Sequence, residues 1–378
     1  MLVHTQTQRR GMLDVMTRNE KVEIRVNSID PWYLENLVCP IDQTELRVDG
    51  HHLVSKRGRR YPVVEGLPVL LVPDEVQTIG VAHASIERAQ GRFDGIDGRA
   101  PELYLESLGI GEKEKVQLVS IHKSGITAID PVAIMLIRAT GGNAYKHLIG
   151  DCSLTEYPIP SITLTPLEAG HTLLDVGCNW GRWSIAAARK GFSVVGIDPS
   201  LGAVMAARRV AKELNLDIKY LVADGRFLPF RERQFKVAYS YSVLQHLSKD
   251  DARKTISQIS RVLEPGGLAK IQMANRWGLR SLQHQTRRKF REPRDFEVRY
   301  WTIAELKSTF SEIIGTTQIS ADCYFGLGWQ WSDFHLVLQK HKLVLLASEA
   351  LRRLSDIVWP IRIFADSVFC IATKPRSV

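Results

Sequence analysis

Three turns in the second half of the chain carry the residues best suited to binding a ligand. Gly177 follows an apolar run and precedes a helical pattern, so a ligand can approach the backbone closely there. Asp198 ends the next apolar run about twenty residues later, where a carboxylate can accept both ribose hydroxyls of a nucleoside. Asp224 ends the third run and can accept a hydrogen bond from an exocyclic amine such as adenine N6. The three turns together predict a nucleoside site.

The spacing of the first turn argues against a phosphate-binding loop. The turn runs from Gly177 to Gly181, whereas a dinucleotide site has G-x-G-x-x-G and a phosphate loop ends in Gly-Lys-Ser/Thr. Asn179 and Trp180 occupy its middle. Taken singly, an aspartate after a strand is more simply explained as a helix cap or a turn former. Their occurrence at successive strand ends favours ligand binding.

Strand-like and helix-like segments alternate from residue 173 onward, which predicts a parallel sheet covered by helices. Open sheets of this kind bind ligands at the carboxyl ends of the strands, which is where the three turns lie. The predicted strands are 173–176, 192–197, 218–223, 235–240 and 268–273.

Residues 172–274 resemble the class I S-adenosylmethionine-dependent methyltransferases. The resemblance rests on five motifs in the family's order, at residues 173–181, 196–200, 223–230, 239–247 and 261–267. Asn179 departs from the pattern, because many relatives have a second glycine there. Asparagine tolerates a left-handed backbone, so the departure is compatible with cofactor binding. The implied fold is α/β: a Rossmann-like, seven-stranded mixed sheet with helices on both faces, whose sixth and seventh strands lie near 316–320 and at 367–373.

The resemblance also implies S-adenosylmethionine as the cofactor and a role for each motif residue. Asp175 and the turn at Gly177 would lie beside its methionine end. Ser240 and Tyr241 would line the space below the sulfonium. The complete implied cofactor-binding set is Asp175, Gly177, Asn179, Trp180, Gly181, Asp198, Pro199, Asp224, Gly225, Arg226, Ser240 and Tyr241.

The predicted reaction is O-methylation of a small molecule or a saccharide. The acceptor hydroxyl must lose a proton, and a histidine with a pKa near ~6.5 can take it. His246 follows the fourth predicted strand and is the candidate base, although it could equally cap or pack the next helix. Two alternative functions are RNA methylation and a non-catalytic partner protein that keeps the fold. The segment that begins at Ser240 lacks an Asn-Pro-Pro-Tyr-type motif for base amines.

Two insertions within the methyltransferase-like region, 166–378, depart from the family's pattern. Residues 275–299 are rich in arginine and are either a solvated connection or an anion-binding segment. Residues 323–365 contain aromatic side chains that could stack on a base or a sugar, or could pack a helical stretch onto the core. Both insertions are expected on the side where this family binds its substrates.

The N-terminal part divides into a tail at 1–29, a β-rich region at 30–75 and a helical segment at 76–165. The helical segment is expected to form a lid over the cofactor cleft, with Tyr145 and His147 as candidate site residues.

Residues 30–75 resemble the zinc ribbon of the small activator subunit of tRNA and protein methyltransferases. Such a ribbon holds zinc with two C-x-x-C pairs. Here Cys39 remains, while Asp42 and Ser55 stand where further cysteines would be. We therefore expect no metal in this region. Its few apolar residues are too small a core to fold alone, so we expect it to dock on the rest of the chain.

Composition sets broad limits on these interpretations. The net charge of +9 can attract nucleic acid, anionic lipid or anionic substrates, without choosing among them. No apolar stretch reaches the ~18 residues of a membrane span, and the first twenty residues do not resemble a secretory signal. The five cysteines are widely spread, which predicts a reducing, cytoplasmic location.

Overall fold

The computed structural model describes residues 29–73, 75–76, 80–91, 101–105, 111–125, 127–140, 154–164, 170–326, 330 and 333–376. Within these residues, one sheet of eleven strands runs through the molecule and helices cover it. The strands are β1 (Leu46–Asp49), β2 (His52–Ser55), β3 (Arg60–Val64), β4 (Leu67–Leu70), β5 (Thr172–Val176), β6 (Ser193–Asp198), β7 (Lys219–Ala223), β8 (Phe235–Ser240), β9 (Leu263–Ala274), β10 (Thr316–Cys323) and β11 (Ser367–Thr373). The helices are α1 (Pro31–Asn36), α2 (Gly80–Ala89), α3 (Glu112–Ser124), α4 (Pro131–Thr140), α5 (Arg182–Ala188), α6 (Leu201–Glu213), α7 (Lys249–Val262), α8 (Leu279–Arg287), α9 (Ile303–Ile313) and α10 (Gln339–Ile357).

Seven of the strands follow the spatial order β7-β6-β5-β8-β9-β11-β10. All of them run parallel except β11, which pairs antiparallel with both of its neighbours. The predicted bounds of two strands, 235–240 and 367–373, are those observed. β9 begins earlier than predicted, at Leu263, because Leu263 pairs with Phe235 before the register shifts. The prediction of an α/β fold built on a mixed sheet is confirmed.

Both faces of this sheet are buried, as neighbouring residues of one strand show. Leu173 belongs to the hydrophobic cluster on the face that α4, α5 and α6 cover, whereas Leu174 belongs to the cluster under α7 and α9. Side chains alternate between the faces of a strand, so a strand that is covered on both sides has an almost continuous apolar sequence. This is the physical origin of the apolar runs that ended at the three turns.

The predicted strand number, seven, is wrong, because the N-terminal β-rich region extends the same sheet. β1 to β4 form an antiparallel meander, and β4 then pairs in parallel with β7, with Val69 opposite Val222. All four residues of β4 are buried. An open sheet edge presents unpaired amide and carbonyl groups, and β4 satisfies those of β7. The expectation that this region docks on the remainder of the chain agrees with this pairing.

Further polar contacts hold the meander against the sheet. The buried hydroxyl of Tyr33 donates to the carbonyl oxygen of Tyr220 at 2.7 Å. The amide of Val38 donates to the carbonyl of Pro229 at 3.0 Å, and Lys219 Nζ lies 2.8 Å from Asp30 Oδ2. These contacts join segments that are almost two hundred residues apart in sequence, so the meander and the sheet form one packed unit.

Cys39, Asp42 and Ser55, the positions that the resemblance assigns to ribbon cysteines, all form hydrogen bonds within this region. Cys39 Sγ lies 3.2 Å from the hydroxyl of Tyr61. Asp42 accepts hydrogen bonds from Thr44, at 2.6 Å from its hydroxyl, and from the Ser55 hydroxyl at 3.1 Å. Across the described ranges, no three His, Cys, Asp or Glu side chains converge as a metal site would require.

The helical segment packs on α6. Arg209 of α6 forms an ion pair with Asp130, just before α4, and the hydroxyl of Ser85 in α2 accepts the amide of Leu201.

Tyr145 and His147 lie outside the described residues. The 275–299 insertion contains α8, and the 323–365 insertion contains α10. Of the described aromatic residues in the second insertion, Tyr324 is packed in the core, which agrees with the packing alternative for that side chain.

Replacing Tyr33 by Phe tests whether the meander and the sheet unfold together. We expect Tyr33→Phe to lower the free energy of unfolding by about 1–2 kcal/mol, because it leaves a buried carbonyl without its donor. Tyr104→Phe is the matched control: its hydroxyl donates to the exposed Glu65, so the loss should stay within about 0.5 kcal/mol. Urea unfolding followed by circular dichroism measures both. Equal effects of the two substitutions would contradict the inference that the Tyr33–Tyr220 contact stabilises the packing of the N-terminal region on the sheet.

Candidate active site

The turn between β5 and α5 has a backbone that only small or left-handed residues accommodate. Gly177 has φ = +80°, and a Cβ there would lie 2.3 Å from a methyl carbon of Val243. The amides of Gly177 and Cys178 both donate to the carbonyl of Ile197, at 2.8 and 2.9 Å. Asn179 has φ = +50°, the left-handed conformation that asparagine tolerates. The turn is therefore held close to the end of β6.

Asp198 connects this turn to the start of α6. Its Oδ2 accepts the amide of Asn179 at 3.1 Å, and its Oδ1 accepts the amide of Ser200 at 2.9 Å. The residue is 9% exposed, and burial raises the pKa of its carboxyl group to about 6. Each oxygen accepts one of these amides and retains lone-pair capacity for a ligand. Asp198 thus fixes the two turns relative to each other and keeps acceptor capacity.

Asp175 lies in β5, two residues before Gly177. Its Oδ2 accepts the hydroxyl of Ser184 at 2.6 Å, and the residue is 1% exposed. Burial, together with the negative charge of Asp198, raises the pKa of this carboxyl group to about 7. Two buried carboxyl groups near each other make this end of the site favourable for a cationic ligand group, which would lower both pKa values.

Asp224 is paired with Arg226. Its two oxygens accept the Arg226 backbone amide at 2.9 Å and the guanidinium Nη2 at 2.7 Å, and the guanidinium also reaches Asp251. The N–H groups of Arg226 occupy about three of the roughly four lone-pair positions of a carboxylate, which leaves about one for an amine. Arg226 donates in addition to the carbonyl of Val76. The adenine-side motif is therefore anchored by the segment that follows the meander.

Several predicted residues have their polar groups or rings occupied within the protein. The Ser240 hydroxyl donates to the carbonyl of Val176 at 2.7 Å. Trp180 is 2% exposed and packs against Tyr157, with ring centroids 6.0 Å apart, so it belongs to the hydrophobic core. Gly181 begins α5 with φ = +87°.

The two remaining members of the predicted set lie beside these turns. Pro199 follows Asp198 directly and is partly exposed. Gly225 follows Asp224, and a Cβ there would lie 3.0 Å from Thr255 and 3.1 Å from Val176. Both positions therefore keep the backbone compact near the two acidic strand ends.

Tyr241 belongs to an aromatic and polar cluster at the carboxyl end of β8. Its ring lies 4.8 Å from that of Trp183 and 6.0 Å from that of Phe369. Its hydroxyl donates to Asp322 Oδ2 at 3.2 Å. The sequence prediction missed Asp322, because no local motif marks it and its partner lies 81 residues earlier in the chain.

Asp322 Oδ2 is surrounded by polar side chains. Its Oδ2 accepts the Ser367 hydroxyl at 2.7 Å and lies 3.5 Å from Gln272 Nε2. Burial raises the pKa of the Asp322 carboxyl group, and the positive charge of Lys270 partly offsets that rise. Burial also lowers the pKa of Lys270, whose Nζ donates to the carbonyl of Thr163 at 2.8 Å. Tyr241 after β8 thus meets Asp322 near the end of β10, within the electrostatic influence of Lys270 in β9.

His246 ends a short 3-10 helix after β8. Its Nδ1 lies 2.7 Å from the carbonyl oxygen of Phe296. A carbonyl only accepts, so Nδ1 carries the proton and the lone pair is on Nε2. Burial lowers the pKa of His246 to about 4, and the charge of Arg299 adds to the effect. The imidazole is therefore neutral near pH 7, and its ring stacks on Phe296 with centroids 3.8 Å apart.

The site thus combines this strand order with a glycine turn after β5 and aspartates at the carboxyl ends of β6 and β7. Residues 173–267 match the family described as "Methyltransferase domain".

Among curated proteins, the chain is similar to two proteins named ubiquinone biosynthesis O-methyltransferase. It is 29% identical to that of Nitrobacter winogradskyi over 171 residues, and 32% identical to that of Caulobacter vibrioides over 166 residues. The alignments cover 43% and 42% of this chain, and 64% and 65% of the relatives. It is also 37% identical to the 24-methylenesterol C-methyltransferase 2 of Oryza sativa subsp. japonica over 108 residues, which cover 28% of this chain and 29% of the relative.

Two solved structures give matches of low similarity. A methyltransferase of Methanosarcina mazei is 19% identical with a TM-score of 0.41, covering 57% of this chain and 100% of that one. The phosphoethanolamine N-methyltransferase 2 of Haemonchus contortus is 18% identical with a TM-score of 0.41, covering 65% and 60%.

The family match lies in the region from β5 to β9. Together with the relatives named O-methyltransferase, it confirms the prediction of a methyltransferase domain there. The chain spans less than two thirds of the length of the two ubiquinone-pathway relatives. None of the helices in the described part of the chain is both long and apolar enough to cross a membrane.

The raised pKa of Asp175 predicts a pH-dependent stability of the ligand-free protein. A carboxyl group with a pKa near 4 when unfolded and about 7 when folded stabilises the folded state below pH 4, and that contribution is lost as pH rises through 7. Asp175→Asn should remove the loss. The free energy of unfolding of the variant, minus that of wild type, should therefore be larger at pH 8 than at pH 5 by on the order of 2–4 kcal/mol.

Urea unfolding at the two pH values measures this gain. The control is Asp217→Asn, which changes an 84% exposed carboxylate and should show no comparable gain. A difference between Asp175→Asn and wild type that does not change with pH would contradict the assignment of the titration to Asp175.

Proposed function

We propose that the protein transfers the methyl group of S-adenosylmethionine to a hydroxyl group of a small molecule or a saccharide. The observation that carries the proposal is the buried Asp198 carboxylate, which is held by the amides of both neighbouring turns and retains acceptor capacity for a ribose diol. The two similar proteins named ubiquinone biosynthesis O-methyltransferase support transfer to oxygen in a small molecule.

The residues around Asp198 fit the parts of this cofactor. Gly177 lies where a side chain would collide with Val243, so only glycine allows the turn at the methionine end to pack this closely. Asp175 adds a carboxyl group near that cationic end. The remaining lone pair of Asp224 is suited to the adenine amine, with Gly225 and Arg226 beside the ring. Pro199, Gly181 and the other turn residues shape the cleft.

The protein's own groups then orient the acceptor and take its proton. The bound cofactor supplies an electrophilic methyl group. His246 accepts the hydroxyl proton at Nε2, since Nδ1 is committed to Phe296. The hydroxyl of Tyr241, after β8, and the carboxyl group of Asp322, near the end of β10, bind the acceptor. Catalysis in this scheme is mainly positioning, since an aligned acceptor needs little further chemistry.

The meander has a supporting role that resembles an activator subunit joined to its enzyme. β4 pairs with β7 up to Ala223, directly before Asp224. Arg226, the partner of Asp224, also donates to Val76 just beyond the meander. Removing these contacts would free the adenine-side turn, so the proposal assigns residues 30–76 to holding that turn in its binding conformation. A cytoplasmic location, which the buried free cysteines suit, belongs to the same proposal.

The two alternative functions make different demands. An RNA methyltransferase would bind single-stranded RNA with an affinity that falls steeply with salt. A non-catalytic partner would bind the cofactor and turn over no acceptor. Binding and turnover measurements on one preparation therefore separate the three functions.

Asp198→Ala tests the cofactor site. We expect S-adenosylmethionine to bind more weakly by roughly 1–3 kcal/mol, because its ribose hydroxyls lose a buried charged acceptor. For wild type, affinity should rise about tenfold from pH 5 to pH 7, because binding uses the ionised carboxylate and the pKa of Asp198 is about 6 in the free protein. Isothermal titration calorimetry measures both effects. Asp217→Asn serves as the control, and an unchanged dissociation constant for Asp198→Ala would refute the assignment, as would binding of NAD in place of S-adenosylmethionine.

His246→Ala tests the proposed base. We expect turnover to fall by roughly 10²–10⁴-fold with cofactor affinity unchanged. At saturating cofactor, kcat of the wild type should stay level from pH 8 down to pH 6 and decline only as pH approaches 4, because the base must be unprotonated and the pKa of His246 is about 4.

Transfer of tritiated methyl groups to a panel of phenols, alcohols and saccharides measures turnover. Lys212→Gln, an exposed change on α6, is the control. Equal activity of wild type and His246→Ala would remove His246 from the mechanism.

A further inference from the structure

The arginine-rich insertion folds around a cavity. About 630 Å³ of space lies between the end of α8 and the segment that leads to Tyr300, within the size range of small-molecule sites. Its basic lining consists of His284, Arg287, Arg288, Lys289 and Arg291. None of the predicted cofactor-binding residues lines this cavity.

Most of the positive charge in this cavity is unmatched. Arg291 forms a bidentate salt bridge with Glu297: Nη1 donates to Oε2 at 2.7 Å and Nη2 donates to Oε1 at 2.6 Å. Among the described residues, Arg287, Arg288 and Lys289 form no ion pair. Like charges held together repel one another, so an anion in the cavity would relieve a repulsion that the folded protein maintains.

Arg288 is held in place as a binding group would be. Its Nη1 donates to the carbonyl of Val298 at 2.9 Å, and its guanidinium lies over the ring of Tyr300, 5.3 Å from the centroid. Its Nε is buried and has no hydrogen-bond partner among the described residues, which is costly unless an acceptor arrives. The guanidinium is thus preorganised, so little side-chain entropy remains to be lost on binding.

The backbone next to Arg288 is in an unusual conformation. Lys289 and Phe290 have φ values of 54° and 55°, two consecutive non-glycine residues in the left-handed region. Such residues are disfavoured and tend to occur at functional sites. Their conformation folds the chain back after α8, so Lys289 and Arg291 line the same space as Arg288.

The cavity adjoins the proposed base. Phe296 lines the cavity and also stacks on the imidazole of His246. Arg299, at the end of the same insertion, donates from Nη1 to the carbonyl of His246 at 2.8 Å and from its amide to the carbonyl of Gln245 at 2.7 Å. One segment therefore forms the cavity wall and positions the residue that would take the acceptor's proton.

We propose that this cavity binds a phosphoryl group carried by the methyl acceptor, so that the acceptor is a phosphorylated small molecule. The inference rests on the proposed function, because it places the acceptor's anion one aromatic ring away from the base. Arginine guanidinium groups match phosphate oxygens in two-point geometry, and a compact group of three unpaired cations suits a phosphate better than a single carboxylate.

Binding of inorganic phosphate and pyrophosphate tests the cavity directly. Isothermal titration calorimetry would compare wild type, the Arg287→Gln/Lys289→Gln double variant and Arg288→Gln at constant ionic strength. The matched control is Arg47→Gln/Lys212→Gln, which removes two exposed cations elsewhere. We expect pyrophosphate affinity to fall at least tenfold in the cavity double variant and at least fivefold in Arg288→Gln. The control should change less than twofold.

The affinity for S-adenosylmethionine, measured on the same samples, keeps the two proposals apart and should stay within twofold in all variants. If wild type binds S-adenosylmethionine but not pyrophosphate, or if the cavity and control variants weaken pyrophosphate equally, the cavity proposal is overturned alone. If wild type fails to bind S-adenosylmethionine, the proposed function fails whatever the phosphate result.

Turnover distinguishes a phosphorylated acceptor from free phosphate acting as an effector. Acceptors from the methyl-transfer panel would be compared with their phosphomonoesters. We expect the phosphomonoester to have the lower KM in wild type, and the cavity double variant to raise that KM at least tenfold with little change in kcat. A preference for the unphosphorylated compound, or cavity-dependent binding of a ten-nucleotide single-stranded RNA without binding of pyrophosphate, would overturn the proposal.

Discussion

The carboxylate of Asp198 is the contact that fixes the two turns of the proposed cofactor site. It accepts one amide from the turn after β5 and one from the start of α6, so two loops that meet only at a sheet edge have a fixed distance between them. Burial of a charged carboxylate costs desolvation free energy, and for this reason the pKa of Asp198 is raised to about 6. The same burial makes each of its hydrogen bonds stronger than in water, which suits a group that must hold a neutral diol.

The N-terminal meander gives the sheet a second kind of support. A parallel sheet ends in an open edge, and here β4 closes the edge at β7 and is itself fully buried. The closure reaches the site through Arg226, which contacts both Asp224 and the chain just beyond the meander. The pairing of β4 with β7 and the geometry of the turn at Asp224 therefore belong to one packed structure. Loss of this pairing would alter the conformation of that turn.

In the proposed function, the acceptor side is built from residues after β8, from the end of β10 and from the 275–299 insertion, and it is distinct from the turns proposed to bind the cofactor. The segment 275–299 carries the basic cavity and positions His246 through Phe296 and Arg299. Across the sheet end, Asp322 joins Tyr241. This division has a physical consequence: the cofactor turns need fixed glycine and aspartate geometry, whereas the acceptor side can change its chemistry by changing inserted segments on the same sheet.

The sequence by itself determined the features that depend on local pattern. The alternating apolar runs predicted β8 to the residue, the family resemblance implied the bounds of β11, and the glycine and aspartate turns marked the strand ends at Gly177 and Asp198. Only the tertiary structure decided how distant segments meet. The eleven-strand sheet requires β4 to find β7 about 150 residues away, and Asp322 reaches Tyr241 across 81 residues. Such contacts leave no periodic signal, because they depend on which surfaces are left open once each segment has formed.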